Sequence, residues 1–346
     1  ANRDITAENL EHLGEIMSDD VKLDENFEDE RDFSFELPHS SPVQPTRLEL
    51  DDELKFRCHR GVSCWNECCA RADVTLAPYD IIRLKEATGM DSTEFLKEHS
   101  VPFELDMHGV PGLKLRTDND GACLFMKEEG CSVYENRPTA CRYYPSGLLS
   151  MKSISESTDE RHFLLIKEPH CKGHEEDNIQ TIDEYRKEQG VEIYDDLNHE
   201  WYQIILKKKS TGPTIGKPSD MSLQMFFMAS YDMDRFRRFV MSDAFIKMYD
   251  LSDDEYATLE TDDIALMKFG FKLMKQVFFG ELTIKEREGA WEERVKERKE
   301  ILEFRKQAEI AEHQKKQEEA RKAALDSGKE LDDLDLATIT ILLCLY

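Results

Sequence analysis

The sequence predicts an α+β protein: a small, irregular, cysteine-rich domain, then a mainly α-helical region with a long C-terminal helix. Three observations carry that prediction. Eight of the nine cysteines lie between Cys58 and Cys171, where helix, strand and turn signals alternate over short distances. Beyond residue 180 apolar residues recur at helical spacing, and residues 284–325 are rich in Lys, Glu, Arg and Ala. The expected division is 1–54, 55–178, 179–283 and 284–346.

Residues 1–54 read as a largely extended acidic arm, because residues 1–57 hold 17 acidic and 6 basic side chains and include three prolines at 38, 42 and 45. One short helix is expected around Ile5–Met17. In residues 55–178, Pro78 suits the first position of a helix with Ile81, Ile82 and Leu84 on its apolar face and Gly89 as its stop. A second helix should begin at Asp91, with Glu94 completing a capping-box pattern. Leu113-Lys114-Leu115-Arg116 alternates like a strand, and Asp118-Asn119-Asp120-Gly121 supplies a turn before Cys123-Leu124-Phe125. The turn is no calcium loop, since Arg116 and Lys127 would fall at its first and last ligand positions.

In residues 179–283, Arg235–Met248 places Phe236, Phe239, Val240 and Ile246 on one helical face, and Asp263–Phe279 is similarly apolar. In 284–346, Trp291, Val295, Leu302 and Ile310 keep no clean heptad, so an exposed helix is expected, offering a surface to a protein partner. Leu336–Tyr346 is apolar and β-prone but far too short to span a membrane, and Cys344 within it reads as a small packed residue.

Charge narrows the function classes. With Lys+Arg 46 against Asp+Glu 73 the net charge is -27, which opposes generic binding to nucleic acid or anionic lipid. Lys207-Lys208-Lys209 reads as a solvated helix end. Residues 1–36 lack the basic start and apolar stretch of an export signal, and no segment approaches the ~20 apolar residues of a membrane span. The expectation is a cytoplasmic protein, where thiols stay reduced and clustered cysteines act as ligands or catalysts rather than disulfides.

The cysteines fall in three groups: Cys58, Cys64, Cys68 and Cys69; Cys123, Cys131 and Cys141; and Cys171. Thiolates are soft donors that favour zinc, cuprous copper and iron–sulfur clusters. Packing alone does not account for Cys64–Cys69, which lie among Trp65, Asn66, Glu67 and Arg71. Neighbouring side chains diverge by ~100° in a helix and point to opposite faces of a strand, so Cys68 and Cys69 do not easily grip one small ion together. Either they serve different sites or one of them packs. The chain has neither the two-residue cysteine spacing of a zinc knuckle nor the spacings of ferredoxins, and an iron–sulfur cluster is favoured over zinc.

Arg137 and Arg142 are placed to offset the charge of a thiolate centre, or else to form surface salt bridges, for example with Glu135. His59, His170 and His174 are further candidate ligands. The usual enzyme signatures (Gly-x-Gly, His-Glu-x-x-His, a phosphate loop, Gly-x-Ser-x-Gly) are missing.

Phe56-Arg57-Cys58, Cys64-x3-Cys68-Cys69 and Val74 to Ile81 resemble the opening of the YkgJ-type cysteine-cluster family of zinc- or iron-chelating domains. Gly121 to Phe125, Gly130-Cys131-Ser132-Val133-Tyr134-Glu135-Asn136-Arg137-Pro138, Cys141 to Pro145 and Cys171-Lys172-Gly173 continue the likeness, which covers roughly residues 55–175. The family's commoner opening spaces its cysteines more tightly. The resemblance implies a metal site. The family also includes flagellin-lysine methylases with an iron–sulfur centre, which implies a 4Fe-4S cluster or zinc as cofactor and a protein-lysine methyltransferase as an alternative function. The reading favoured here is a metal-binding protein in a redox, sensing or assembly role. A zinc-stabilised interaction scaffold is the third alternative.

Overall fold

The computed structural model describes residues 43–106, 109–152, 159–210 and 218–296, and positions 299, 310 and 315. The Ile5–Met17 helix, most of the acidic arm, most of the 284–325 helix and the apolar tail with Cys344 lie outside those residues. The class is mixed α+β as expected, with small antiparallel sheets followed by helices. The chain divides into two compact units. One comprises residues up to Phe236 together with Asp262–Gly280, and the other Arg237–Thr261 with the chain from Glu281 onward.

In the first unit, two stretches at the border of the expected arm, Val43–Leu48 and Glu53–Lys55, are strands. β1 (Val43–Leu48) pairs with β9 (Asp159–Ile166), which pairs in turn with β8 (Ser146–Lys152). β2 (Glu53–Lys55) pairs with β10 (Ile179–Thr181), tying the two ends of the cysteine-bearing stretch together. Leu54, Phe56, Tyr143, Phe163, Ile182 and Tyr185 form the core there, and Cys171 packs at its margin. Each such side chain withdrawn from water contributes about 2 kcal/mol.

A second sheet places β5 (Pro111–Leu115) between β3 (Thr75–Leu76) and β4 (Ser100–Glu104). Helix α2 (Pro78–Thr88) begins at Pro78 and stops at Gly89, whose φ of 69° closes the last turn in the left-handed region. Helix α3 (Ser92–His99) is capped by Asp91, which accepts from the Glu94 amide. The Asp118 carboxylate accepts from the amides of Asp120 and Ala122, so this stretch is the expected turn.

Helices α5 (Ile182–Gln189), α6 (Glu192–Ser210), α7 (Asp220–Tyr231) and α11 (Asp263–Phe279) follow. On α11, Leu266, Met267, Phe271 and Met274 are buried as expected. The Lys207–Lys209 run does end a helix, yet only its outer members are solvated: Lys208 is buried and Lys207 lies over the Phe279 ring at 4.6 Å.

The expected continuous helix over Arg235–Met248 is two. α8 (Met233–Val240) ends before Ser242, whose side chain caps α9 (Asp243–Met248) by accepting from the Phe245 amide. The restart turns Phe245 inward and leaves Ile246 exposed. In the second unit, which also holds α10 (Asp253–Thr261), the amides of Asp250 and Arg287 donate to the carbonyls of Lys285 and Met248, tying the end of α9 to the stretch that follows Glu281. Trp291 and Val295 begin the charged helical stretch and are exposed, as is Ile310. No helix among the described residues is long and apolar enough to cross a membrane.

Candidate metal centre

Short elements deliver the cysteines to one neighbourhood. Between β2 and α1 (Glu67–Ala70) the chain makes successive tight turns, with Val62 donating to the His59 carbonyl, Trp65 to that of Val62 and Glu67 to that of Cys64. These turns carry Cys58 and Cys64. Asn66 enters α1 with φ 69°, an uncommon conformation that asparagine tolerates better than most residues. Its side-chain amide donates to the Lys127 carbonyl, anchoring α1 to the hairpin of β6 (Met126–Lys127) and β7 (Gly130–Cys131).

Gly130 is required in that hairpin: its φ is 123°, and an added Cβ would stand 2.8 Å from the Trp65 ring. Cys123 donates its amide to the Cys69 carbonyl at 2.8 Å, and Met126 donates to the Cys123 carbonyl. Cys141 sits on α4 (Thr139–Tyr143), held from below by buried Asp80, which accepts from the Thr139 amide and hydroxyl. The last cysteine is bound back to the first group twice. Arg57 donates to the Gly173 carbonyl at 3.1 Å, and the Lys172 amide donates to the Cys64 sulfur at 3.1 Å.

All eight are free thiols; Cys58 and Cys68 are exposed and the other six half-buried. Electrostatics couples these thiols to one another. Burial, then the Cys68, Cys64 and Cys171 sulfurs, push the Cys58 thiol up to about 11. Burial raises Cys171, with Cys64 and Cys68 adding to it. Cys68 and Cys69 hold their sulfurs 3.9 Å apart; the contact with Cys69 lowers Cys68 to about 7, and the same contact raises Cys69. Cys141 and Cys123 raise Cys69 further. Burial raises Cys123, Cys131 and Cys141, and each also feels Cys68.

Crowded thiols that oppose one another's ionisation are a site whose cost a bound cation would reverse, since thiolates are the ligating form. Tyr144 adds a second sign of fit. Its hydroxyl is buried without a hydrogen-bond partner, and burial, Cys171 and Glu168 all raise its pKa. A Cys171 thiolate would give it an acceptor. Among the described residues, no group of three or more His, Cys, Asp or Glu side chains has the geometry to hold a metal ion, so the sulfurs are neighbours rather than a closed coordination shell.

The other candidates are engaged elsewhere. His59 Nε2 lies 3.0 Å from Glu176 and its Nδ1 accepts from the Gly61 amide. His170 is 3.6 Å from Glu168, and His174 pairs with the Ile166 carbonyl against the Phe56 ring. Arg142 is a structural brace, donating to the carbonyls of Arg137, Gln189 and Glu135 with its guanidinium over the Tyr194 ring. Its partner at position 135 is thus the backbone rather than the carboxylate. Arg137 does both jobs: it donates to the Tyr134 carbonyl and Gln189, and its charge lowers the thiol pKa of Cys58 and Cys131.

Sequence reasoning missed Asp80, Tyr144 and the Lys172 amide. Asp80 carried a signal as the third residue of a helix, where it also accepts from the Ala77 amide.

Comparison with protein families finds a match over this stretch. Residues 57–183 match the CxxCxxCC family, described as a putative zinc- or iron-chelating domain. The match bears out the family resemblance and the expectation of iron or zinc as the cofactor. The matched stretch contains all eight clustered cysteines and runs to the start of α5. No curated protein and no solved structure matches the chain.

Proposed function

We propose that the cysteine neighbourhood holds a thiolate-bound metal centre, with an iron–sulfur cluster favoured over zinc, in a redox, sensing or assembly role in the cytoplasm. The observation that best supports this reading is that direct contacts join the three cysteine-bearing stretches: the Lys172 amide on the Cys64 sulfur, the Cys123 amide on the Cys69 carbonyl and the 3.9 Å Cys68–Cys69 sulfur contact. Cys58, Cys64, Cys68, Cys69, Cys123, Cys131, Cys141 and Cys171 are the ligand candidates. A cluster accepts each thiolate on its own iron, which suits sulfurs that adjoin one another without converging on one point.

Bound there, iron–sulfur would supply one-electron chemistry and zinc a structural tie. The chain's own groups prepare the site. The Lys172 amide donates to sulfur, Arg137 offsets negative charge, and exposed Cys58 and Cys68 leave the centre open to electron or metal exchange.

Anaerobic purification and a visible absorption spectrum test the reading. A brown protein that bleaches on reduction supports a cluster. A colourless protein containing zinc assigns the structural alternative, and a colourless protein without metal contradicts the reading.

A further inference from the structure

We propose that Asp80 is the positioning residue of Cys141: through Thr139 it fixes the start of α4, and with it the place of the Cys141 sulfur in the metal centre. The proposal rests on the metal-centre reading above and adds a side chain outside the cysteines on which one ligand depends.

Helix α4 cannot place itself. It is five residues long, and no side chain at its N-cap, Pro138, accepts from its first amides. So short a helix has little stability of its own, and those amides need acceptors from elsewhere in the fold. Asp80 supplies one. Its Oδ1 accepts from the Thr139 amide at 2.8 Å and from the Thr139 hydroxyl at 2.6 Å. Its Oδ2 accepts from the Ala77 amide at 2.8 Å, where α2 begins. One carboxylate thereby joins the first turns of two helices, and Cys141 lies two residues beyond the joint.

The Asp80 side chain is 0% exposed, and Arg142, the cation whose charge reaches it, is spent on the carbonyls of Arg137, Gln189 and Glu135. Burying a carboxylate without a paired cation is costly, so its place depends on its three donors and theirs on it. Burial pushes its carboxyl up to about 6 against the pull of those donors, which leaves it a carboxylate, acceptor only, at neutral pH. The far end of α4 is held independently, by Arg142 and by the Tyr143 hydroxyl donating to Asp195 at 2.5 Å. Loss of the Asp80 contact should therefore free the Thr139 end of α4, and Cys141 with it, while the rest of the fold stays in place.

The test changes the contact and reads the cysteines one by one. Thr139→Val removes the hydroxyl and keeps the side-chain shape, whereas Thr139→Ser keeps the hydroxyl. On the anaerobically purified full chain, metal retention against a chelator is measured, and then alkylation of each cysteine before and after the chelator strips the metal. Thr139→Val should lose metal about 10–100-fold more readily and alkylate faster at Cys141 alone. Thr139→Ser should match the unaltered chain in both. Asp80→Asn should behave as Thr139→Val does, because its amide sets a donor against donors. Thr139→Val indistinguishable from Thr139→Ser overturns the proposal. So does faster alkylation of all eight cysteines together, the mark of a support for the fold rather than of one placed ligand. An unaltered chain without metal defeats the metal-centre reading instead, and alkylation of Cys141 in the metal-free chains then still decides whether Asp80 places it.

Discussion

The backbone amide of Lys172 donates to the Cys64 sulfur at 3.1 Å, joining positions 108 residues apart in sequence. An amide aimed at sulfur holds that sulfur in place, so Cys64 is positioned as a ligand before metal arrives. Cys64→Ala should weaken metal retention by more than about tenfold in competition with a chelator, since even outer partners of ligands are worth 10–100-fold. Unchanged retention would remove Cys64 from the ligand set.

Tyr144 offers a quieter version of the same test. Its buried hydroxyl gains a partner only when Cys171 or Glu168 accepts from it. Tyr144→Phe should lower metal affinity by about 10–100-fold with little change in stability of the metal-free chain. Equal affinity in the two proteins would show that the hydroxyl plays no part.

Arg186 and Asp195 form a buried pair, 8% and 2% exposed, and the Tyr143 hydroxyl donates to the same carboxylate oxygen. This links α5 and α6 to the helix that carries Cys141. Arg186→Ala should cost about 3–5 kcal/mol in urea unfolding, because it strands a buried carboxylate. A loss below about 1 kcal/mol, the usual worth of a surface pair, would show that water reaches the site.

Acid should loosen the first unit at another point. Burial raises the carboxyl pKa of Asp234, but Lys85 at 2.8 Å and the Ser92 amide at 2.7 Å outweigh it and hold the group below the usual range. A depressed acid pKa stabilises the fold above the unfolded value, about 3.9, and that contribution is lost as pH falls through the folded value. Asp234→Asn should therefore be less stable than the unaltered chain at pH 7, by about 1–3 kcal/mol, with the gap closing below about pH 4. A gap independent of pH would contradict the assignment.

The hairpin under the second group of cysteines depends on Gly130. Gly130→Ala adds a methyl group 2.8 Å from Trp65 at a φ of 123°, which should cost about 1–3 kcal/mol and lower metal retention through Cys131. Stability and metal content equal to those of the unaltered chain would show that Trp65 swings aside freely.

Much of this was legible in the sequence because it is local. Pro78 and Gly89 bound a helix by backbone rules, Asp91 caps the next, and the apolar spacing of Asp263–Phe279 marks α11 to its ends. The thiols were legible because cysteines at that density have few other uses. What escaped is long-range. Nothing near Arg142 announces that it will brace three carbonyls, and nothing near Val43 announces a partner at Ile166. Ser242 breaks a helix that apolar spacing alone would have continued, because a serine oxygen can cap as readily as it can ride on a helix.

The most direct test of the account is the intact mass of the full chain, purified without oxygen and measured under native conditions, then again after acid releases any metal. The account expects a mass excess matching iron and sulfide, or zinc, that acid removes and that falls when Cys68 is replaced by serine. A chain that leaves anaerobic purification at its bare polypeptide mass would contradict it.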